Sequence, residues 1–270
     1  DSATRALVRA LVYPDHPLIK SSNEAQVCQR GFDESRLFDI ASFRGTGAKA
    51  HAGGDGRNTA SFEEAKYRAV YGEAVPALVE SLRKRPREKP LHISYLSSAG
   101  VYGDQSGAIT TELSPPDLSN TTNALLVQAE TAVLGLNNPL IQTCVLRLGG
   151  IYGPGKDIPS FIRSASGQPV PKNGNHINAW VHLDDIVRGV DFALQRRLQG
   201  IYNLVDDLQL TRRELSNALC DDEGLPPVIW ENHDRPGARV FNARVSNARL
   251  LQMGFSLNTR SMLEPVAQLS

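Results

Sequence analysis

Along the chain the apolar positions fall into short runs separated by turn-forming residues, and the runs alternate between two periods. Ala6-Leu7-Val8 is a strand candidate, Pro14-Asp15-His16-Pro17 breaks the chain, and Ala25 to Cys28 alternates like a second strand. Ser35 to Ile40 reads as a short helix, and Ala48 to Ala52 as a weak strand running into Gly53-Gly54-Asp55-Gly56. The clearest helix runs from Ser61 to Leu82. Ser61 suits the N-cap, Glu63 and Glu64 complement the positive end of the helix dipole, and Ala65, Val70, Ala74, Leu78 and Leu82 recur at helical spacing. Leu91 to Leu96 is an apolar strand and Ala124 to Leu136 a second helix. Thr143 to Leu148 is a strand closed by the turn in Gly149-Gly150-Ile151-Tyr152-Gly153-Pro154-Gly155.

Strand and helix in alternation, with apolar strands, predict an α/β fold: a Rossmann-like, doubly wound parallel sheet covered on both faces. After Gly155 the pattern changes. Helices over Asp184 to Gln195 and Thr211 to Cys220 alternate with single short strands, which predicts a small C-terminal α/β lobe. The expected division is a nucleotide-binding-type domain over 1–155 and a substrate-type lobe, interleaved with the sheet, over 156–270.

Composition narrows the partners. The 270 residues carry 29 Lys+Arg against 29 Asp+Glu, so no global field draws in nucleic acid or an anionic membrane. The runs Arg83-Lys84-Arg85 and Arg87-Glu88-Lys89, between a helix and a strand, read as a solvated helix end. Cys28, Cys144 and Cys220 are odd in number and far apart, without a CxxC pair. That argues against a disulfide framework or a metal site, and for a soluble protein in a reducing compartment, cytoplasm or organelle stroma or matrix. No apolar run approaches the ~18 residues of a spanning helix.

Chemistry enters with Ser94-Tyr95-Leu96-Ser97-Ser98-Ala99-Gly100-Val101-Tyr102-Gly103-Asp104. A strand ending in hydroxyl residues and Val-Tyr-Gly resembles the active-site segment of the extended short-chain dehydrogenases/reductases, the NAD-dependent epimerase/dehydratase-like family in its atypical branch. The carboxyl end of such a strand faces the ligand crevice of an open parallel sheet. Four further segments follow in family order: Leu146 to Gly155 with its Tyr-Gly-Pro-Gly loop, Trp180 to Ile186, Gly200 to Asp207, and Arg244 to Leu250. The resemblance implies Ser98 and Tyr102 as substrate contacts, and Gly149, Gly150 and Tyr152 near the nicotinamide of NADP or NAD. Within Trp180 to Ile186, His182 reads as a hydrogen-bonded structural histidine and Asp184 as a helix N-cap.

Two departures qualify the resemblance. The family's acid/base is a Tyr-x-x-x-Lys pair on one helix face, whose ammonium helps the phenol exchange a proton. That Tyr lies about twenty-five residues beyond the active-site Ser/Thr, which here reaches Asn123, with Val127 at the Lys position. Second, no glycine precedes Gly31, so the glycine-rich pyrophosphate turn is not found at the start. Thr4 to Arg9 then resembles the family's second strand, with Arg9 toward the cofactor. Gln29 to Asp33 resembles its third, and Ala50 to Gly54 the end of its fourth, with Gly53 near the adenine. A competing fingerprint, Gly45-x-Gly47-x-x-Ala50, follows Phe38 to Phe43, a poor buried strand.

Two readings stay open. One is an NAD(P)-binding epimerase/dehydratase or reductase with a nucleotide-sugar-like substrate. The other is a non-catalytic relative: a subunit, a redox sensor or an RNA-associated protein in a larger assembly. On either, residues 1–270 are expected to bind dinucleotide weakly, and a partner chain, a dimer contact or a further N-terminal segment is expected to cover the place of the first strand.

Overall fold

The computed structural model describes residues 38–41, 64–65, 67–235, 238–257 and 261–263. Arg9 and Gly53, with the whole start of the chain before Phe38, lie outside them. The chain divides into two compact units that interleave in sequence. The first takes Asp1–Val101, Leu118–Leu146 and Val187–Tyr202, the second Tyr102–Asp117, Arg147–Ile186 and Asn203–Ser270.

The first unit is built on a four-stranded sheet in the order β1 (Phe38–Ala41), β2 (Leu91–Ser98), β4 (Ile141–Leu148), β8 (Gly200–Leu204), numbered along the chain. The architecture is Rossmann-like α/β, as the alternation predicts. All eight residues of β2 are buried, the mark of a strand covered on both faces. Strand β1 pairs with it in parallel, Phe38 opposite Ile93 through Ala41 opposite Leu96. This corrects the reading of Ser35 to Ile40 as a helix. Four residues are too few to display either period, and pairing with a neighbour decides the outcome.

Of the first long helix the structure describes a π-helical segment, Arg68–Ala74, continued by α1 (Val75–Lys84). Pro76 sits in the first turn, where its missing N–H removes no helical bond. Tyr71, Val75, Val79 and Leu82 are the buried positions, one stripe at helical spacing. Arg83 and Lys84 occupy the last turn, exposed and paired with Glu80, so the basic run is the solvated helix end it was expected to be. Helix α2 (Thr121–Leu134) begins three residues before the expected Ala124. Asn120 accepts from the N–H groups of Thr122 and Asn123 and fixes the start there.

The second unit contains three parallel strand pairs. They join β3 (Asp104–Thr110) to β10 (Asn242–Val245), β5 (Gly150–Tyr152) to β7 (Trp180–His182), and β6 (Pro169–Asn173) to β9 (Ile229–Glu231). Its helices include α3 (Ile158–Arg163), α5 (Arg212–Asp221) and α6 (Ala248–Gln252). A reciprocal capping box between Thr211 and Glu214 starts α5. Helix α4 (Leu183–Arg196) begins in this unit and ends in the first. Tyr152, Leu215, Leu219 and Met262 form a core cluster here, with Trp180 packed against it. Among the described residues no helix is long and apolar enough to cross a membrane.

Strand β7 explains the glycine pair ahead of β5. A Cβ on Gly149 would lie 2.7 Å from the backbone carbonyl carbon of Trp180, and one on Gly150 2.8 Å from its indole ring. The Gly150 N–H donates to Ala179 O at 2.8 Å, holding that approach closed. Backbone cannot yield as a flexible side chain can, so Gly149→Ala is expected to destabilise the chain by about 2 kcal/mol or more. Urea denaturation of the two proteins, compared at one pH, measures this directly.

Candidate functional site

In the first unit the polar residues gather where β2 ends against α2. Successive side chains on a strand face opposite ways, and the two serines divide accordingly. Ser97 donates its hydroxyl to Glu130 Oε1 at 2.5 Å. The Ser98 hydroxyl oxygen accepts the Gly100 N–H at 3.1 Å, which ties the strand end to the turn after it. Glu130 is 2 % exposed and Asn123, two helical turns earlier on α2, is 0 % exposed. Burial, with the Tyr71 and Glu130 charges adding to it, pushes the Tyr95 phenol far above its ordinary range and keeps it neutral. The sequence reading missed Glu130. An acid embedded in the apolar stretch Ala124 to Leu136, seven positions after Asn123 and hence on its face, was the available signal.

The second unit holds the other singled-out residues in two groups. Tyr102 is 0 % exposed, donates its hydroxyl to Asn203 Oδ1 at 2.8 Å, and lies under the Arg147 guanidinium, 4.9 Å from its ring centre. Burial raises its pKa despite Arg147 and Asn203, which pull the other way. Asn203 is held in turn: its N–H donates to Glu112 and its amide to Ser246 O.

The second group is centred on Tyr152. Its hydroxyl donates to Asp206 Oδ2 at 2.9 Å, and its ring meets the His182 imidazole edge-on, centres 5.2 Å apart. His182 Nδ1 accepts the Asp184 N–H at 3.1 Å. The cap of α4 is therefore His182, with Asp184 and Asp185 in the first turn, which corrects the reading of Asp184 as the N-cap. His182 is hydrogen-bonded, as expected. Gly153 has φ +122°, and a Cβ there would come within 2.7 Å of His182 Nε2, so this turn also requires its glycine.

Asp206 was not foreseen. Its backbone N–H donates to Trp180 O at 2.7 Å, and its Oδ1 accepts the Leu208 N–H. Burial pushes its pKa up to about 6, with Asp207 and Asp185 adding to the rise and the Tyr152 and Leu208 hydrogen bonds opposing it. It lines an open cleft of about 210 Å³ together with Asp207, Gln209, Arg244, Ser246 and Asn247. A carboxyl that titrates near neutrality beside a phenol is equipped for proton exchange. Among the described residues no group of His, Cys, Asp and Glu is arranged to hold a metal ion.

Of the residues singled out in sequence, then, Ser98 stands at the end of β2 in the first unit. Gly149 leads into β5, which carries Gly150 and Tyr152 beside β7 in the second, where Tyr102 belongs to the separate Arg147–Asn203 group. The turn Gly45 to Ala50 lies outside the described residues.

Residues 8–204 match the NAD dependent epimerase/dehydratase family. A dTDP-glucose 4,6-dehydratase of Streptomyces griseus is 31% identical over 139 residues, 48% of this chain and 42% of that protein. The chain thus spans less than half the length of this curated relative. Among solved structures, a conserved protein of unknown function from Silicibacter pomeroyi is 25% identical, with TM-score 0.56 over 73% of this chain and 69% of its own. A dTDP-glucose 4,6-dehydratase from Streptomyces venezuelae, with NAD and TYD bound, shares the fold at TM-score 0.61 and 20% identity, over 78% and 67% of the two chains.

Asp206 makes stability depend on pH in a definite direction. Because folding makes this carboxyl harder to ionise, its favourable contribution is complete below its ordinary pKa near 3.8 and is lost as pH rises through about 6. The gap corresponds to about 3 kcal/mol. Asp206→Asn cannot ionise, so its stability relative to wild type is expected to improve by up to about 3 kcal/mol between pH 4 and pH 7.5. Paired denaturation curves across that range check it, and parallel stability profiles would refute it.

Proposed function

The chain belongs to the NAD dependent epimerase/dehydratase family, and from that premise we propose that it binds NADP or NAD and acts on a nucleotide-sugar-like substrate without a Tyr/Lys proton exchange. The observation that carries this reading is Asn123. It is wholly buried on α2, at the position where the family resemblance puts the phenol, and an amide has no accessible pKa near neutrality. Ser98, at the carboxyl end of a fully buried strand, supplies the hydroxyl for a substrate oxygen. Tyr102, committed to Asn203 and Arg147, positions the segment after the strand rather than touching substrate. Gly149, Gly150 and Tyr152 border the nicotinamide, and Arg9 and Gly53 keep the cofactor contacts that the resemblance gives them. The nucleotide-sugar class is supported by the curated dTDP-glucose 4,6-dehydratase relative.

One observation favours the non-catalytic reading: the Ser98 oxygen already accepts the Gly100 N–H, so the hydroxyl has a structural task.

The two readings separate on the full-length protein. Calorimetric titration with NADH and NADPH is expected to give saturable binding, and its absence with both would reject the dinucleotide reading. In turnover assays against a panel of nucleotide sugars, Ser98→Ala is expected to lower kcat/KM by about 100-fold or more, with Asn123→Ala near wild type. Dinucleotide binding without turnover, and a Ser98→Ala change limited to about 1 kcal/mol of stability, would establish the non-catalytic reading instead.

A further inference from the structure

The pairing of Tyr152 with Asp206 joins two segments 54 positions apart in sequence. Its surroundings are unusual for a carboxyl group. Tyr152 faces it from β5, Asp185 from the first turn of α4 and Asp207 from the next position in the chain, while Arg244 lines the same cleft. Two of these neighbours are themselves acidic. The cleft gives solvent, and so protons, a route to a residue that is only 8 % exposed. Beyond the phenol, the Tyr152 ring lies edge-on to His182, whose Nδ1 holds the first turn of α4, and Gly153 fits against His182 Nε2. A change at the Asp206 carboxyl is thus delivered through one hydroxyl to the start of the Gly153–Gly155 turn.

We propose that Asp206 is a proton-sensing positioning residue: its ionised carboxylate holds Tyr152, and with it the Tyr152–Gly155 turn, in the arrangement that favours dinucleotide binding. The cofactor half of this inference rests on the function proposed above, in which that turn borders the nicotinamide. The direction follows from linkage. The Tyr152 hydrogen bond is one of the interactions that favour the ionised form of Asp206, so ionised Asp206 must favour the Tyr152 bond by the same amount. Hydrogen bonds to a carboxylate are roughly twice as strong as those to a neutral acceptor. Protonation from the cleft therefore loosens Tyr152, and dinucleotide affinity declines on the acid side of neutrality. The fold as a whole gains stability on the same protonation, because the desolvation penalty disappears. Acid thus strengthens the protein while weakening its hold on the cofactor, which separates this device from ordinary acid unfolding.

Two measurements test the two halves. With 13C-labelled tyrosine, the Tyr152 ring signal of the ligand-free protein, assigned with Tyr152→Phe, is expected to shift with a midpoint near pH 6. Asp206→Asn is expected to remove that titration while leaving the other tyrosine signals in place. A Tyr152 signal that stays fixed between pH 5 and 7.5, or one that still titrates in Asp206→Asn, would overturn proton sensing. The second measurement is the Kd for NADH or NADPH on full-length protein over the same range. It is expected to weaken by about fivefold on going from pH 7.5 to 5 in wild type, and to stay level in Asp206→Asn. A level wild-type profile, with Tyr152 titrating, would overturn the link to the cofactor. Failure to bind dinucleotide at any pH would overturn both that link and the function proposed above, and the ring signal would still decide whether Asp206 senses protons.

Discussion

The close approach of Trp180 to the Gly149–Gly150 pair is the constraint on which the second unit depends. Backbone meets backbone there at a distance no side chain could share, and three segments are fastened as a result. Gly150 donates to Ala179 on the strand side, and the Trp180 carbonyl receives Asp206 from the other. Strand β5 is only three residues long, yet it carries Tyr152 into the core cluster beside Leu215 and Leu219. Without the glycines β5 would stand off from β7, and Tyr152 and Asp206 would no longer be aligned by a common neighbour. The glycine pair is thus accounted for by packing alone, whatever ligand the segment also meets.

The first unit solves a different problem, that of ending a fully buried strand in polar residues. Ser97, Ser98, Glu130 and Asn123 sit where water is scarce, and unpaired they would cost more than a strand of eight residues is worth. Pairing Ser97 with Glu130 and Ser98 with Gly100 spreads the polar groups over a helix and a turn. Buried polar networks of this kind fix one arrangement among many apolar alternatives. Rigid placement of the Ser98 oxygen follows from the same bonds.

Legibility in the sequence tracks the length of each element. Strands β2 and β4 and helices α1, α2, α4 and α5 were readable because eight or more residues display a period. Strand β1 was misread, and the three-residue strands β5, β7 and β9 show no period of their own, since such pieces exist only through their partners. For the site, local motifs pointed to Ser98, Tyr102 and Tyr152. They did not point to Asp206, which looked like the tail of a strand, because its special character comes first from burial and from a phenol 54 positions away.

The interleaving of the two units bears on how the protein is made. The chain passes from one unit to the other after Val101, Asp117, Leu146, Ile186 and Tyr202. A ribosome working from the N-terminus has therefore released two pieces of the second unit before the first is complete at Tyr202, and the second then still awaits its largest segment, Asn203–Ser270. The usual domain-by-domain order of folding during synthesis is closed to this chain. Nascent chains must carry the apolar strands β2 and β4 unfinished until Tyr202 has been made, a period in which chaperone capture has its opportunity to act.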